Sequence, residues 1–274
     1  VHAAFRLLQK GANIGKAVVR VAGASGVRPQ GAHLVSGGSG ALGQVFGRWL
    51  AEGGARSLVL ASRSGALPEH SPAACDWHVA RCDNAQAADV GGLMASMALG
   101  GTAPLRGVWH AAGVLADKLA MLMDEASVQR VYGSKAHGAW LLQQSCAGHP
   151  LEACVLFSSL AALLGSAGQA NYSAANCCLD ALACRRTASA QAAASMQFGP
   201  WGEVGMAVDN AGLEAKLEAG GVGLLSLQQG FAAFQAAGRP RLPGGAPAVL
   251  VMRSWSAYFV ATKVEPPFLH KYVA

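Results

Sequence analysis

Short apolar runs recur along the chain and end in glycine, serine or aspartate, and longer stretches with helical spacing lie between them. Residues 33–36, 57–61, 76–80, 106–110, 154–157, 195–198 and 248–252 read as strands. Residues 44–52, 84–99, 124–146, 209–220 and 226–238 read as helices, as does the stretch whose first turn carries Tyr172. Strand and helix in alternation imply an α/β fold: a right-handed, doubly wound parallel sheet with its site at the carboxyl ends of the strands.

The stretch richest in chemistry is CVLFSSLAALLGSAGQANYSAANCCLDALACRR, residues 154–186. An apolar strand breaks into a small-residue loop carrying Ser158 and Ser159, then a helix resumes with Tyr172. Asn176 follows four residues later and shares a helix face with Tyr172. A serine at a strand end and a tyrosine on the next helix can both reach one small polar atom. Carbonyl reduction needs such a pair, one group to hold the carbonyl oxygen and one to deliver a proton to it. The alternative is that Ser159, Tyr172 and Asn176 are loop and cap residues only.

Upstream, HLVSGGSGALG makes a strand, a turn and the start of a helix, and Gly38, Gly40 and Gly43 fit G-x-G-x-x-G in that setting. Glycines let a backbone approach a pyrophosphate, and the helix N-terminus offers free N–H groups, so Gly37, Gly38, Ser39, Gly40, Ala41, Leu42 and Gly43 form a candidate cofactor turn of Rossmann type. The second strand ends at Ser62 and Arg63, where a dinucleotide fold places the adenosine ribose. An arginine there accommodates a 2′-phosphate and points to NADPH; its other reading is a solvated loop residue. Asp83 could accept from the adenine amino group or cap the next helix. Ala111, Ala112 and Gly113 close the fourth strand with small residues where a backbone must pass close to the cofactor. Trp201 and Met206, in the loop after the 195–198 strand, are expected to offer apolar surface beside the site, and 209–220 is a candidate lid.

Composition narrows the function. The chain of 274 residues is 52% apolar, enough for a full core, and has no uninterrupted apolar run long enough to span a membrane. Its seven cysteines form an odd set with no C-x-x-C pair, which argues against a disulfide framework or a zinc site and for a reducing cytoplasm or organellar matrix rather than secretion. The net charge of +6 comes from scattered lysines and arginines with no basic run, so it suits an anionic cofactor or an acidic protein partner better than nucleic acid.

The glycine turn, HAAG, Lys135, Ser159, Tyr172, Asn176 and GPW together resemble the ketoreductase domain of a polyketide synthase, a branch of the short-chain dehydrogenase/reductases. The likeness covers about His33 to Tyr258 and is most specific in FSSLAALLGSAGQANYSAAN. Most short-chain reductases carry Tyr-x-x-x-Lys. Here the fourth position is Asn176, and Lys135 matches the earlier helix position from which synthase ketoreductases draw their lysine. The resemblance implies NADPH-dependent reduction of a β-keto group on an acyl thioester borne by an acyl carrier protein, within a megasynthase. Tyr172 would be the acid, Ser159 a hydrogen-bond donor to the same oxygen, Lys135 the ammonium that lowers the tyrosine pKa, and Asn176 the residue that orients lysine or water. No metal is implied.

The family's Leu-Asp-Asp reads Leu115-Ala116-Asp117, and Leu164 stands where one stereochemical class carries tryptophan, so Asp117 and Leu164 are assigned to the substrate groove and a D-configured alcohol is expected. The expected organisation is a tail similar to that of an enoylreductase domain at 1–28, the catalytic domain at 29–258 and a linker at 259–274. Two other functions remain: an inactive nucleotide-binding scaffold of a megasynthase, and a free-standing reductase of a soluble ketone.

Overall fold

Successive residues of the central strands are apolar because helices cover both faces of the sheet. In β1 (Ala32–Ser36) Leu34 joins Val59 and Val108 in one core, and Val35 joins Leu58, Leu60 and Trp109 in another. β5 (Ala153–Ser159) alternates likewise, with Cys154 and Leu156 on one side and Val155 and Phe157 on the other. The structure is a computed structural model describing residues 31–66, 75–205, 212–237, 248–249 and 251–252.

The sheet has seven parallel strands in the order β3-β2-β1-β4-β5-β6-β8. Besides β1 and β5 these are β2 (Ser57–Ser62), β3 (Asp76–Arg81), β4 (Leu105–His110), β6 (Ala194–Phe198) and β8 (Ala248–Val249). This is the expected Rossmann-type, doubly wound sheet. Its order reverses between β1 and β4, which leaves a crevice outside the strand ends, the place where sheets of this type bind their ligands. Helix α1 (Ala41–Glu52) lays Phe46 and Leu50 on one face, where Phe46 meets Phe157 edge to face with ring centroids 4.6 Å apart. Helix α2 (Ala87–Leu99) covers the other face with Val90, Leu93 and Met97.

Three elements depart from the sequence expectation. The apolar run 248–252 divides: β8 extends the main sheet, while β9 (Val251–Met252) pairs antiparallel with β7 (Val222–Gly223). The helix expected across 124–146 is interrupted: Asp124 caps α3 (Glu125–Tyr132), a π-helical turn spans Gly133–His137, and α4 (Gly138–Ser145) follows. The helix expected at 84–99 begins later, since Asn84–Gln86 are spent on a turn. Further on lie α5 (Leu160–Leu164), α6 (Ala170–Ala188), α7 (Leu213–Ala219) and α8 (Leu227–Ala237). The expected 1–28 tail, Met206, the start of the 209–220 helix and the 259–274 linker lie outside the described residues.

Candidate active site

The glycine turn joins the end of β1 to α1 with no room for side chains. Gly37 has φ of +74°, and a Cβ there would stand 2.7 Å from Ala112 N. A Cβ on Gly43 would meet Gly37 O at 2.2 Å, so the helix can approach the turn only because this position is glycine. Gly38 is pressed against Leu60 in the same way. Gly40 is the N-cap of α1, where no side chain takes the first-turn N–H groups. Ser39 and Ser62 are bridged through Ser64, whose hydroxyl lies 3.1 Å from Ser39 and 3.3 Å from Ser62. Arg63 is exposed at the same strand end. A backbone cradle at a helix N-terminus, beside hydroxyls and an exposed arginine, fits the diphosphate of a dinucleotide.

The crevice floor runs on from there to the reactive groups. Gly37 backs onto Ala111 and Ala112, and a Cβ on Gly113 would meet Lys135 Cε at 2.8 Å. Lys135, only 3% exposed, donates from Nζ to Phe157 O at 2.8 Å, and its ammonium stands 5.2 Å from the centre of the Tyr172 ring. Burial lowers the Lys135 pKa to about 7, and the Asp180 carboxylate works against that shift. Ser159 ends β5 and caps α5, its Oγ accepting from Ala161 N at 3.2 Å, which leaves the hydroxyl proton free to be donated. Burial raises the pKa of Tyr172; the adjoining Asn176 and Ser159 side chains oppose that, and Asp117 reinforces it. Asn176 is wholly buried and donates from Nδ2 to Tyr172 O at 2.8 Å. Its Oδ1 has no hydrogen-bond partner. A buried orphan acceptor of this kind is a place for a donor from water or ligand.

The structure therefore brings Lys135, Ser159, Tyr172 and Asn176 together beside the glycine turn. Other assigned residues fall elsewhere. Trp201 is 6% exposed and belongs to the core, with its ring 4.9 Å from Phe198 and 6.1 Å from Phe46. It therefore offers no surface beside the site: the bridge to Leu225 and the contact with Gly230 turn the indole inward, where burial of so large a ring is most favourable. Asp83 accepts from Ala85 N at 3.0 Å in a turn ahead of α2, whose own N-cap is Gln86, so Asp83 does not cap that helix. Asp117 is exposed and accepts from Gln169 Nε2 at 2.9 Å, tying its loop to the N-cap of α6; Leu164 is half-buried at the end of α5.

Three residues in and around the site had no role assigned from sequence. Asn171 donates to Ala116 O at 2.9 Å and Ser127 O at 3.2 Å and accepts from Tyr172 N, so it clamps the first turn of α6 to the neighbouring loop and to α3. Asp180 accepts from Ser195 at 2.5 Å and Gln197 at 2.8 Å, holding α6 against β6. It continues the spacing of Tyr172 and Asn176 along one helix face, and that spacing is the signal that could have found it. His110, which opens HAAG, has its imidazole fully buried between Ser36 Oγ and Lys135 O.

Residues 31–203 match the KR domain family. The chain belongs to the ketoreductase domains of polyketide synthases. The spectinabilin polyketide synthase system protein NorB of Streptomyces orinoci is 40% identical over 248 residues, covering 86% of this chain and 11% of that protein. Erythronolide synthase EryA2 of Saccharopolyspora erythraea is 35% identical over 244 residues, 86% of this chain and 7% of that protein. The solved ketoreductase from the first module of phoslactomycin biosynthesis in Streptomyces sp. HK803 is 32% identical with a TM-score of 0.78, covering 92% of this chain and 60% of that one. The first ketoreductase of the tylosin synthase is 35% identical with a TM-score of 0.73, covering 89% and 54%.

The ketoreductase thus spans about a tenth of such curated relatives and little more than half of the solved chains. Its sheet is that of the Rossmann-like short-chain dehydrogenase/reductase fold, and its family is one of oxidoreductases that use a nicotinamide cofactor. Among the described residues no helix is long and apolar enough to cross a membrane, and no group of three or more His, Cys, Asp or Glu could hold a metal ion.

Proposed function

We propose that this chain reduces the β-keto group of an acyl thioester with NADPH, the substrate being delivered on the phosphopantetheine arm of an acyl carrier protein within a megasynthase. The observation that carries the reading is the meeting of Lys135, Ser159, Tyr172 and Asn176 at the strand ends next to a glycine cradle. A passive nucleotide-binding scaffold has no use for a buried lysine over a buried tyrosine.

Gly37–Gly43 would hold the diphosphate, Ser62 and Arg63 the 2′-phosphate, Asp83 the edge of the adenine, and Ala111–Gly113 would let the nicotinamide ribose lie against the strand end. When bound, the cofactor supplies the hydride that ends on the carbonyl carbon. Ser159 donates a hydrogen bond to the carbonyl oxygen and keeps its own proton, holding the oxygen in place. Tyr172 transfers its own proton to that oxygen as the C=O π bond gives way to new C–H and O–H bonds. The tyrosinate left behind is a charge in a buried site, and the Lys135 ammonium over the ring stabilises it. The unfilled Asn176 Oδ1 offers an acceptor to a water or to the lysine, through which the tyrosine regains its proton.

The test is NADPH oxidation with a β-ketoacyl N-acetylcysteamine thioester and with the same acyl group on a carrier protein. Turnover with both, faster on the carrier, is expected. Cofactor binding with no turnover on either would establish the scaffold instead, and reduction only of soluble ketones would establish a free-standing reductase.

A further inference from the structure

Lys135 stands on an irregular turn of backbone. In the π-turn Gly133–His137 the Gly138 N–H reaches back five residues to Gly133 O and is shared with Lys135 O, three residues back. A shared N–H satisfies a buried carbonyl only in part, and the oxygen has a second lone pair to fill. The Lys135 carbonyl receives a donor from another element: His110 Nε2, at the end of β4, lies 3.0 Å from it. The second ring nitrogen, Nδ1, lies 2.6 Å from Ser36 Oγ, and Ser36 is the β1 residue in register with His110.

The imidazole has no exposed surface. Burial first, and then the Lys135 charge, lower its pKa to about 4, against the opposing pull of the Lys135 carbonyl, so the ring is neutral. A neutral imidazole has one proton and a carbonyl can only accept, so the proton sits on Nε2 and Ser36 donates to Nδ1.

From these contacts we infer that His110 is a positioning residue for Lys135, pinning the main chain of the π-turn so that the ammonium stands over Tyr172. This rests on the reading of Lys135 as the catalytic lysine. Two fixed points then define the side chain: His110 holds its carbonyl, and Phe157 O holds its Nζ at 2.8 Å. Ser36, which fixes the tautomer, immediately precedes Gly37. One buried path of hydrogen bonds thus runs from the root of the cofactor turn to the lysine. Apolar packing explains none of it, because a phenylalanine would fill the same space without either bond.

The test follows Lys135 by 13C NMR of its ε-methylene in the free protein, assigned with Lys135→Arg, alongside kcat and KM. The titratable and charged groups facing the ammonium are Tyr172 and Asp180 from α6 and His110 from β4. Wild type is expected to titrate near 7. In His110→Phe the midpoint moves up toward the ordinary 10.5 as the ammonium finds water, and kcat falls about 10²-fold with KM little changed. His110→Gln can donate to the carbonyl and accept from Ser36, and restores most of both.

If His110→Phe does not fold, Ser36→Ala decides, since it leaves the ring in place and removes only the donor that sets its tautomer; a shift in the same direction is expected. Unchanged Lys135 titration and kcat in a folded His110→Phe or Ser36→Ala protein overturns the inference. Should wild type reduce no β-ketoacyl thioester, the functional reading fails, and the titration still decides the positioning.

Discussion

Gly113→Ala isolates the placement of the lysine from the chemistry of every other group. Gly113 is not in the left-handed region, so alanine is conformationally free to replace it. The three nearest atoms to the added Cβ all belong to one side chain: Lys135 Cε at 2.8 Å, Nζ at 3.5 Å and Cγ at 3.6 Å. Comfortable carbon contacts lie at about 3.5–4.0 Å, so Cε must withdraw by about 1 Å. A flexible lysine stem can yield where packed backbone could not, so the cost to folding stays at or below the low end of the usual ~1–3 kcal/mol of an overpacked site.

The cost to catalysis is larger, because an ammonium moved by about 1 Å no longer faces Tyr172 and Phe157 O as before. Misplacements of that size lower rates about 10²-fold, which is about 2.7 kcal/mol of barrier. Expected, then, is a protein with a near-native thermal midpoint, a kcat down about a hundredfold at saturating cofactor, and a modest change in NADPH affinity by fluorescence titration. Wild-type kcat would refute the argument that the position of Lys135 matters. A loss confined to NADPH affinity would show instead that the methyl meets the cofactor and not the lysine.

Four further outcomes can be checked. Tyr172→Phe lowers kcat by roughly 10²–10⁴-fold while fluorescence titration finds NADPH binding nearly intact; near-normal turnover removes Tyr172 as the acid. Arg63→Ala weakens NADPH by roughly ten- to a hundredfold and leaves NADH almost unchanged, and equal losses for both would assign Arg63 to the fold. The folded-state pKa of His110 is lowered from 6.5 to about 4, so the unfolded chain binds a proton in that window that the folded chain does not. Stability therefore falls by about 3 kcal/mol as the pH drops from 6.5 to about 4, read from urea midpoints, and His110→Gln lacks that component. With Asp117 held by Gln169 and leucine rather than tryptophan at 164, the β-hydroxyacyl product is expected to be D-configured, and chiral analysis showing mainly the L alcohol refutes this.

Much of this protein was legible in one dimension because the deciding interactions are local. Strand and helix follow from apolar periodicity and its punctuation, and the cofactor turn follows from the spacing of its glycines, although only Gly43 is needed against its own turn while Gly37 and Gly38 are needed against Ala112 and Leu60. Tyr172 and Asn176 share a face because a helix returns every four residues, whatever lies around it. Tertiary structure decided what depends on partners far along the chain. Trp201 looks in sequence like a loop aromatic at the mouth of a site. It is core because Phe46, Phe198 and Leu225 converge on it from three separate elements.

The run 248–252 reads as one strand, but its first half finds β6 and its second half finds β7, and no periodicity encodes which neighbour each half meets. Gly133 and Gly138 bracket the π-turn in the helix through Lys135, but a glycine inside a helical pattern does not by itself announce an extra residue. His110, 25 positions earlier in sequence, donates to the Lys135 carbonyl in that turn, and no local pattern encodes that contact. Lys135 itself reads as a solvated helix lysine until Phe157, Tyr172 and Gly113 close around it. Desolvation by those distant residues turns an ordinary cation into one with a pKa near 7, and burial is a property of the folded volume that no single stretch of chain carries.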